Sequence, residues 1–595
     1  LALPTEVPDL AGWVVLGDST LPEGIARLGD LRALPAGVTR LIIDAGLNGD
    51  LDATAAIEAT TAALATVQAI SSDPRLDGIP VVWRTHRALA ASAADEASDL
   101  AHAPLWGLLR AARAENPGRV LRSFDGAIDD IALAALAADE EPELATRDGQ
   151  ILVPRLAPMT STEAAPALRG PALITGGLGD LGQALARHLV TAHGIRRLIL
   201  TSRRGIEGPG AAALVAELAT AAVEAVVVAC DLTDRAQVAR LLAAHAIGSV
   251  FHLAGALDDG IMPSLTAERV TQVMAPKAIG AWHLHTLTAD LDLSAFVLFS
   301  SAAGTLGNPG QGSYAAANAF LDALAAHRRA RGLPGLSLAF GPWQQQGVGM
   351  AAHLGDAGRR RMADGGLRTL SVGDGLRALD AALGAGEAHL VPIALDRARL
   401  APDGPALLRS LAQPRPLPRA STAAVAPDPA ALTRAGALDA IRAAAAVVLG
   451  LPDAAVPLDA PLTALGLDSL MGLEVRNRLA ARLGRALPAG IVLQNPVPVA
   501  LADAVLGASA EASATVVETL DPVRPHLAPL APNQARLAFL DRVLDRRETY
   551  NIRVALRVDR TLDPARLQRA VDATIPRFDQ LRMHLVDGAD GPQQR

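Results

Sequence analysis

The chain is poor in cysteine and in aromatic residues. It has one cysteine, Cys230, and two tyrosines among 595 residues, with aromatics at 3%. A lone cysteine closes no internal disulfide, which excludes a disulfide-built scaffold and suits a reducing, cytoplasmic setting. No apolar run reaches the ~18–20 residues that cross a bilayer. The opening LALPTEVPDL has neither a basic n-region nor an apolar h-region, so no signal peptide is expected. It also lacks an initiator methionine, as a piece of a longer polypeptide would. The net charge of −8 gives no general attraction for nucleic acid or anionic membrane. His86, His188, His193, His283, His285 and His327 show no metal-ligand spacing with other candidates, and no metal is assigned.

What is present is length and glycine. A chain of 595 residues exceeds one core and is expected to divide into domains. Over residues 1–158 the short apolar runs GWVVLGD (12–18), RLIIDA (40–45), IPVVWRT (79–85) and RVLRSFD (119–125) read as buried parallel strands. Helical stretches at 52–70 and 101–115 complete a βαβ array, yet the first strand runs into LGDSTLPEG, which lacks a dinucleotide fingerprint. Residues 165–405 repeat the pattern with strands PALIT, RRLILTS, EAVVVACD, SVFHLAG and SAFVLFSS. The expected fold is α/β: two Rossmann-like, doubly wound subdomains, the first structural and the second catalytic. A Pro/Ala-rich linker (406–432), a helical segment (433–508), a second linker (509–528) and a last piece (529–595) follow.

The second array carries the chemistry. Its first strand ends in Thr175 and Gly176, and Gly177-Leu178-Gly179-Asp180-Leu181-Gly182 matches G-x-G-x-x-G at a strand–helix turn, where backbone amides receive a pyrophosphate. The next strand ends in Ser202, Arg203 and Arg204 where an NAD site places an acid. Cations there suit a 2′-phosphate, so NADPH is the expected cofactor. Asp231 and Leu232 lie at the next strand end, near the adenine, and Ala254 and Gly255 follow the fourth strand; His252 sits beside them. Cys230 reads as a small buried apolar residue.

One of the two tyrosines, Tyr314, lies in GQGSYAAAN, after a flexible turn and at the start of a small-residue helix. Ser301 ends the strand FVLFSS, Asn318 follows Tyr314 by one helical turn, and Lys277 lies on an earlier helix. A phenol is a weak acid at neutral pH, and a nearby ammonium is expected to lower its pKa. Ser301 is placed to hydrogen-bond a carbonyl that accepts hydride.

These residues resemble the ketoreductase domain of modular polyketide synthases, a branch of the short-chain dehydrogenase/reductases. The ordinary Y-x-x-x-K reads Y-x-x-x-N here, with the lysine moved to 277. PLWGLLRAARAENPG and RDGQILVPRLAP are similar to the family's silent structural subdomain, and FGPWQQQGVGMA to its substrate-side lid. The resemblance implies Tyr314, Ser301, Lys277 and Asn318 as the catalytic set. Leu257-Asp258-Asp259 matches the LDD motif of B-type enzymes, implying a D-configured 3-hydroxyl; Leu306 and Pro309 agree, while Ser313 departs from a frequent asparagine.

Downstream, Gly466-Leu467-Asp468-Ser469-Leu470 resembles the attachment motif of acyl carrier proteins, implying 4′-phosphopantetheine on Ser469 and a four-helix bundle. Leu493 stands where phenylalanine is frequent. APNQARLAFL, YNI and RFDQLRMHL resemble the opening of a nonribosomal peptide condensation domain, with Phe578 in place of the usual histidine. Its HHxxxDG active-site motif occurs nowhere in the sequence, and Tyr550 reads as structural. The implied partners are a carrier-bound acyl thioester, upstream polyketide synthase domains, the downstream condensation domain and a phosphopantetheinyl transferase, with homodimerisation through upstream domains. The alternatives are a discrete reductase of free small molecules and an inactive reductase scaffold serving only the carrier.

Overall fold

A computed structural model describes most of residues 8–507, with gaps at 18–23, 47–51, 93–94, 139–140, 160–165, 345–365, 401–404, 413–432 and a few carrier positions, and little of the chain after 507. It forms two compact units, Leu1–Ala510 and Glu511–Arg595. Most of the lid stretch, the second linker, Tyr550 and Phe578 lie outside the described residues.

The apolar runs of the first 158 residues become β1 (Trp13–Leu16), β3 (Arg40–Asp44), β4 (Val81–Thr85) and β5 (Leu121–Asp125). The spacing signal missed β2 (Ala26–Leu28), β6 (Glu143–Arg147) and β7 (Gln150–Leu152). The edge strands β2 and β7 have three residues each, and the buried β6 (ELATR) interrupts its apolar residues with polar ones, so all three lack the unbroken apolar run that marks a buried strand. The sheet order is 2-1-3-4-5-6-7; β1, β3, β4 and β5 run parallel as expected, and β7 pairs antiparallel with β6. The order at the start is that of flavodoxin-like sheets, doubly wound but distinct from the dinucleotide-binding order. Helices α1 (Ala53–Ser72), α2 (Ala103–Glu115) and α3 (Asp130–Ala138) complete this half. Although no run was expected to be long enough, α1 has the length and apolarity to cross a membrane. Here Ile57, Leu64, Val67 and Ile70 bury one face of it in the core beside the sheet.

The second half contains β8 (Ala172–Thr175), β9 (Arg197–Ser202), β10 (Glu224–Ala229), β11 (Ser249–His252), β12 (Ala295–Ser301), β13 (Leu336–Phe340), β14 (Leu367–Arg368), β15 (His389–Leu390) and β16 (Ala394–Leu395). Its sheet runs 10-9-8-11-12-13-15, entirely parallel, so the strand order reverses beside β8. Ligands bind in the crevice at the carboxyl ends of strands at such a switch point. The helices are α4 (Asp180–Thr191), α5 (Ala211–Thr220), α6 (Arg235–Ala244), α7 (Ala267–Leu287), α8 (Ala302–Leu306), α9 (Gly312–Ala330) and α10 (Val372–Leu383).

The alanine run after Tyr314 has a packing reason. α2 lies against α9, and a Cβ on Gly107 would fall 2.2 Å from the carbonyl oxygen of Ala315. Ala315, Ala316 and Ala317 are fully buried there. Small residues on both helices let the backbones touch, so the first half backs the helix that carries Tyr314. Arg110 of α2 reinforces this by donating to the carbonyl of Gly304 at 2.8 Å and gripping Glu143 with two further bonds.

The linker expected from 406 begins later. Residues Ala406–Leu411 form a 3-10 helix whose Leu408 and Leu411 are buried, and Leu156 donates to the Leu407 carbonyl at 2.9 Å. Beyond it, α11 (Arg434–Leu449), α12 (Ser469–Leu483), α13 (Ile491–Gln494) and α14 (Pro498–Gly507) enclose a small core that includes Ile441, Val475, Leu479, Val492 and Leu501. Of the last piece, the described parts include an antiparallel ribbon of β17 (Ala528–Pro529), β18 (Leu585–Gly588) and β19 (Gly591–Gln594).

Candidate active site

The turn from β8 to α4 is built as its glycines require. Gly176 has φ +66°, and a Cβ on Gly182 would lie 2.6 Å from the Gly176 carbonyl oxygen. Gly179 caps α4 without a side chain, leaving the first-turn amides free for an anion. Arg203 and Arg204 are exposed at the end of β9, and no described carboxylate pairs with either. Ser202 donates to the Gly205 carbonyl at 3.4 Å and thereby helps fold the turn.

A cleft of about 450 Å³ opens at this edge. Gly176, Gly179, Lys277, Ser301, Leu257 and Tyr314 all line it. Thus the glycine loop, the phenol and the serine, far apart in sequence, share one cavity. Ser301 ends β12 and caps α8, accepting from the Ala303 amide at 3.3 Å. Asn318 donates to the backbone carbonyl of Tyr314 at 2.7 Å, while its buried Oδ1 has no partner among the described residues. Lys277, the sole lysine of the sequence, is 2% exposed and donates to the Phe299 carbonyl at 2.8 Å. Its ammonium lies 5.5 Å from the Tyr314 ring centroid.

The electrostatics correct one expectation. Burial pushes the Tyr314 phenol above its ordinary pKa, and the Ser301 and Asn318 side chains draw it back only in part. The Lys277 ammonium, 5.5 Å from the ring centroid, does not outweigh that burial. Burial lowers the ammonium itself to about 8, against the pull of Asp322. A buried cation is costly unless hydrogen-bonded, and the Phe299 carbonyl answers part of that need.

Several expected cofactor residues have other work. Thr175 is fully buried, and its hydroxyl meets His252 Nδ1 at 2.8 Å and accepts from the Leu253 amide at 3.1 Å. It shapes the loop from beneath. The Leu232 side chain belongs to the core. Asp231 binds the Thr233 amide and hydroxyl in a turn, and Gly177, Leu178, Ala254 and Gly255 lie outside the cleft lining. A Cβ on Gly255 would meet the Lys277 side chain at 3.0 Å, so this glycine makes room for the lysine stem. His252 is the residue whose part was least legible: fully buried, it ties Thr175 to the Lys277 carbonyl through Nε2 at 3.1 Å. Burial holds it near pKa 3 and therefore neutral.

Of the LDD residues, only Leu257 lines the cleft. Asp258 pairs with Arg269 at 2.7 Å, and Asp259 accepts from Gln311 at 3.0 Å. Both acids brace the loop. His188 and His193, read as lacking ligand spacing, converge on Asp380, each Nε2 at 2.8 Å from one oxygen. Sequence spacing cannot show this, because α10 brings Asp380 from nearly two hundred residues away.

The fold and site together define a reductase of the short-chain dehydrogenase type. Family profiles match residues 170–345 as a KR domain, 2–156 as the Rossmann fold domain of a polyketide synthase extender module, 439–505 as a phosphopantetheine attachment site and 525–595 as a condensation domain. Polyketide synthase GfsA of Streptomyces halstedii is 41% identical over 537 residues, 83% of this chain and 7% of that protein. Spectinabilin polyketide synthase system protein NorA' of Streptomyces orinoci is 47% identical over 445 residues, 71% of this chain and 12% of that protein. The chain therefore spans a small fraction of the curated relatives it matches. Among solved structures, A-type ketoreductases from a modular polyketide synthase superpose with TM-score 0.60 at 33% identity, covering 68% of this chain and 93% of theirs. The first ketoreductase of the tylosin synthase gives 0.56 at 35% identity, with coverages of 68% and 93%. The chain belongs to the modular polyketide synthases, as a ketoreductase and carrier domain running into condensation-domain sequence. Membership implies NADPH for the reductase and covalent 4′-phosphopantetheine for the carrier. The free α4 amides and the unpaired Arg203 and Arg204 fit the dinucleotide, and Ser469 is the first residue of α12.

Proposed function

We propose that this chain reduces a carrier-bound 3-ketoacyl thioester to the 3-hydroxyacyl thioester within a hybrid polyketide/nonribosomal peptide synthase. The observation that carries the reading is the meeting of Tyr314, Ser301 and the glycine loop in one cleft. When bound, NADPH supplies the hydride that reduces the ketone carbon. Ser301 donates a hydrogen bond to the ketone oxygen and polarises it. Tyr314 gives that oxygen its proton, and the raised phenol pKa keeps the proton available. Lys277 and Asn318 restock it: the lysine beside the ring is a charged donor below about pH 8, and Asn318 Oδ1 is an open acceptor. Arg203 and Arg204 select the 2′-phosphate. Leu257 on the cleft wall supports the B-type outcome, a D-configured alcohol.

The acyl chain rides on Ser469 after a phosphopantetheinyl transferase has installed the arm. Upstream polyketide synthase domains deliver the ketone and a condensation domain receives the alcohol. The setting is cytoplasmic, and dimerisation runs through upstream domains. The test is NADPH oxidation with a diffusible 3-ketoacyl thioester. Tyr314→Phe is expected to lower turnover about 10²- to 10⁴-fold. Undiminished turnover would remove the phenol from the mechanism.

A further inference from the structure

The carrier helix that begins at Ser469 has two buried faces, and its own core explains only one. Val475 and Leu479 enter the carrier core. Leu473 is 2% exposed and Arg476 4% exposed, yet neither belongs to that core. Ser469, Leu473 and Arg476 stand at i, i+4 and i+7, which is one side of a helix. Seven residues advance about 10 Å along the axis and return to within about 20° of the same direction.

What covers this side is visible at Arg476. Its Nη2 donates to the Glu115 carbonyl oxygen at 3.2 Å, 361 residues away in sequence. Glu115 is the last residue of α2, where carbonyls lack helical partners and the dipole favours a cation. The Arg476 Nε is buried without a partner among the described residues, so the guanidinium is taken out of water by the reductase.

Glu115 has a second task. Its carboxyl, 2% exposed, accepts from the Met262 amide at 2.7 Å and the Gly310 amide at 2.9 Å. Gly310 accepts in turn from Gly260 at 2.7 Å, and Gln311 holds Asp259. Leu257 and Gln311 at the ends of these loops line the cleft. One residue therefore touches both the carrier and the loops at the mouth of the active site.

We propose that the carrier docks on the reductase at the C-terminal end of α2, with Leu473 and Arg476 as its anchor and Glu115 as the receiving residue. This rests on the proposed pairing of reductase and carrier, but it adds a specific surface. The occupant is the chain's own carrier, seated there with the Ser469 side of its helix towards the reductase.

The test uses the full chain with the arm attached. Reduction of a 3-ketoacyl group on Ser469 is compared with reduction of a diffusible thioester of the same acyl group. Arg476→Glu places a carboxylate against the α2 C-terminus and is expected to slow carrier-borne reduction about tenfold or more. Reduction of the diffusible thioester should stay within about twofold, because Arg476 does not line the cleft. Arg476→Ala is expected to give a smaller loss in the same direction, and mass gain on arm attachment checks that each variant carrier is folded. Carrier-borne rates within twofold of wild type would overturn the proposal. Amide exchange without substrate separates this from the reductase reading. Residues 473–479, 260–262 and 310–311 should lose protection together in Arg476→Glu even if no ketone is ever reduced. Unchanged protection would sink the docking alone.

Discussion

The chain contains two doubly wound sheets, and they treat the carboxyl ends of their strands in opposite ways. In the first sheet those ends are filled by charge. Asp44 at the end of β3 pairs with Arg84 at 3.0 Å, and Arg147 at the end of β6 pairs with Asp125 at 2.6 Å. Thr85 donates to Asp125, and Trp106 donates to Thr85. In the second sheet the same edge has glycines, a serine and a phenol around an open cleft. The architecture is shared, so the difference lies in a handful of side chains at one edge. The ion pairs at these described strand ends suit a structural part.

The largest expected effects separate the two edges. Ser301→Ala should lower turnover of the diffusible thioester by about 10²- to 10³-fold, the cost of losing one donor to a developing oxyanion, with little change in Tm. Asp44→Ala should do the reverse. It removes the carboxylate paired with the buried Arg84, and breaking such a pair typically costs about 3–5 kcal/mol. Denaturant melts should register that loss while kcat per folded molecule holds. A fall in kcat for Asp44→Ala as deep as that for Ser301→Ala would break the comparison.

The sheets are not independent, and Gly107 is where the comparison sharpens. A Cβ there would meet the Ala315 carbonyl oxygen at 2.2 Å, so Gly107→Val must push α2 from α9. Overpacking of this kind costs about 1–3 kcal/mol. Because α9 carries Tyr314, kcat should fall along with stability, unlike the Asp44 case. Thermal melts and kcat measured on the folded fraction distinguish them.

How much of this was legible in the sequence follows from range. The glycine loop, the strand ends and the Y-x-x-x-N spacing are local, and the structure places Tyr314, Ser301 and Lys277 around one cleft. The short edge strands β2 and β7 and the polar-interrupted inner strand β6 carry too few apolar residues to announce themselves. Thr175 looked like a cofactor contact because strand-end position says nothing about which way a hydroxyl turns. His252 and Glu115 act through partners tens to hundreds of residues away, which no spacing rule reaches. The Tyr314 pKa was misjudged because burial, invisible in sequence, outweighs the lysine.

A smaller effect is expected at the cofactor. Arg203→Ala with Arg204→Ala removes two exposed cations at the end of β9. KM for NADPH should rise about tenfold, with NADH nearly unchanged, since an exposed charge contact contributes on the order of 1 kcal/mol. Equal changes for both dinucleotides would deny these residues the 2′-phosphate.

The smallest effect lies in pH, where the two halves should answer at opposite ends of the scale. Glu143 of the first half is raised by burial but pulled further down by Arg110 and Arg113, to about 2 from 4.5. Its folded pKa is depressed, so its stabilisation is present above about 4.5 and is lost as pH falls through about 2. Lys277 of the second half is lowered by burial from 10.5 to about 8. Between those values the unfolded chain binds the extra proton, so stability should rise with pH across that window. Activity should move the other way, falling a few fold from about pH 8 to 9 as the ammonium beside Tyr314 is lost. Opposed slopes of kcat/KM and of unfolding free energy cannot come from simple alkaline unfolding, which lowers both. Lys277→Met should flatten the stability slope and the activity slope together, and a variant that keeps the wild-type alkaline profile would move that titration to another group.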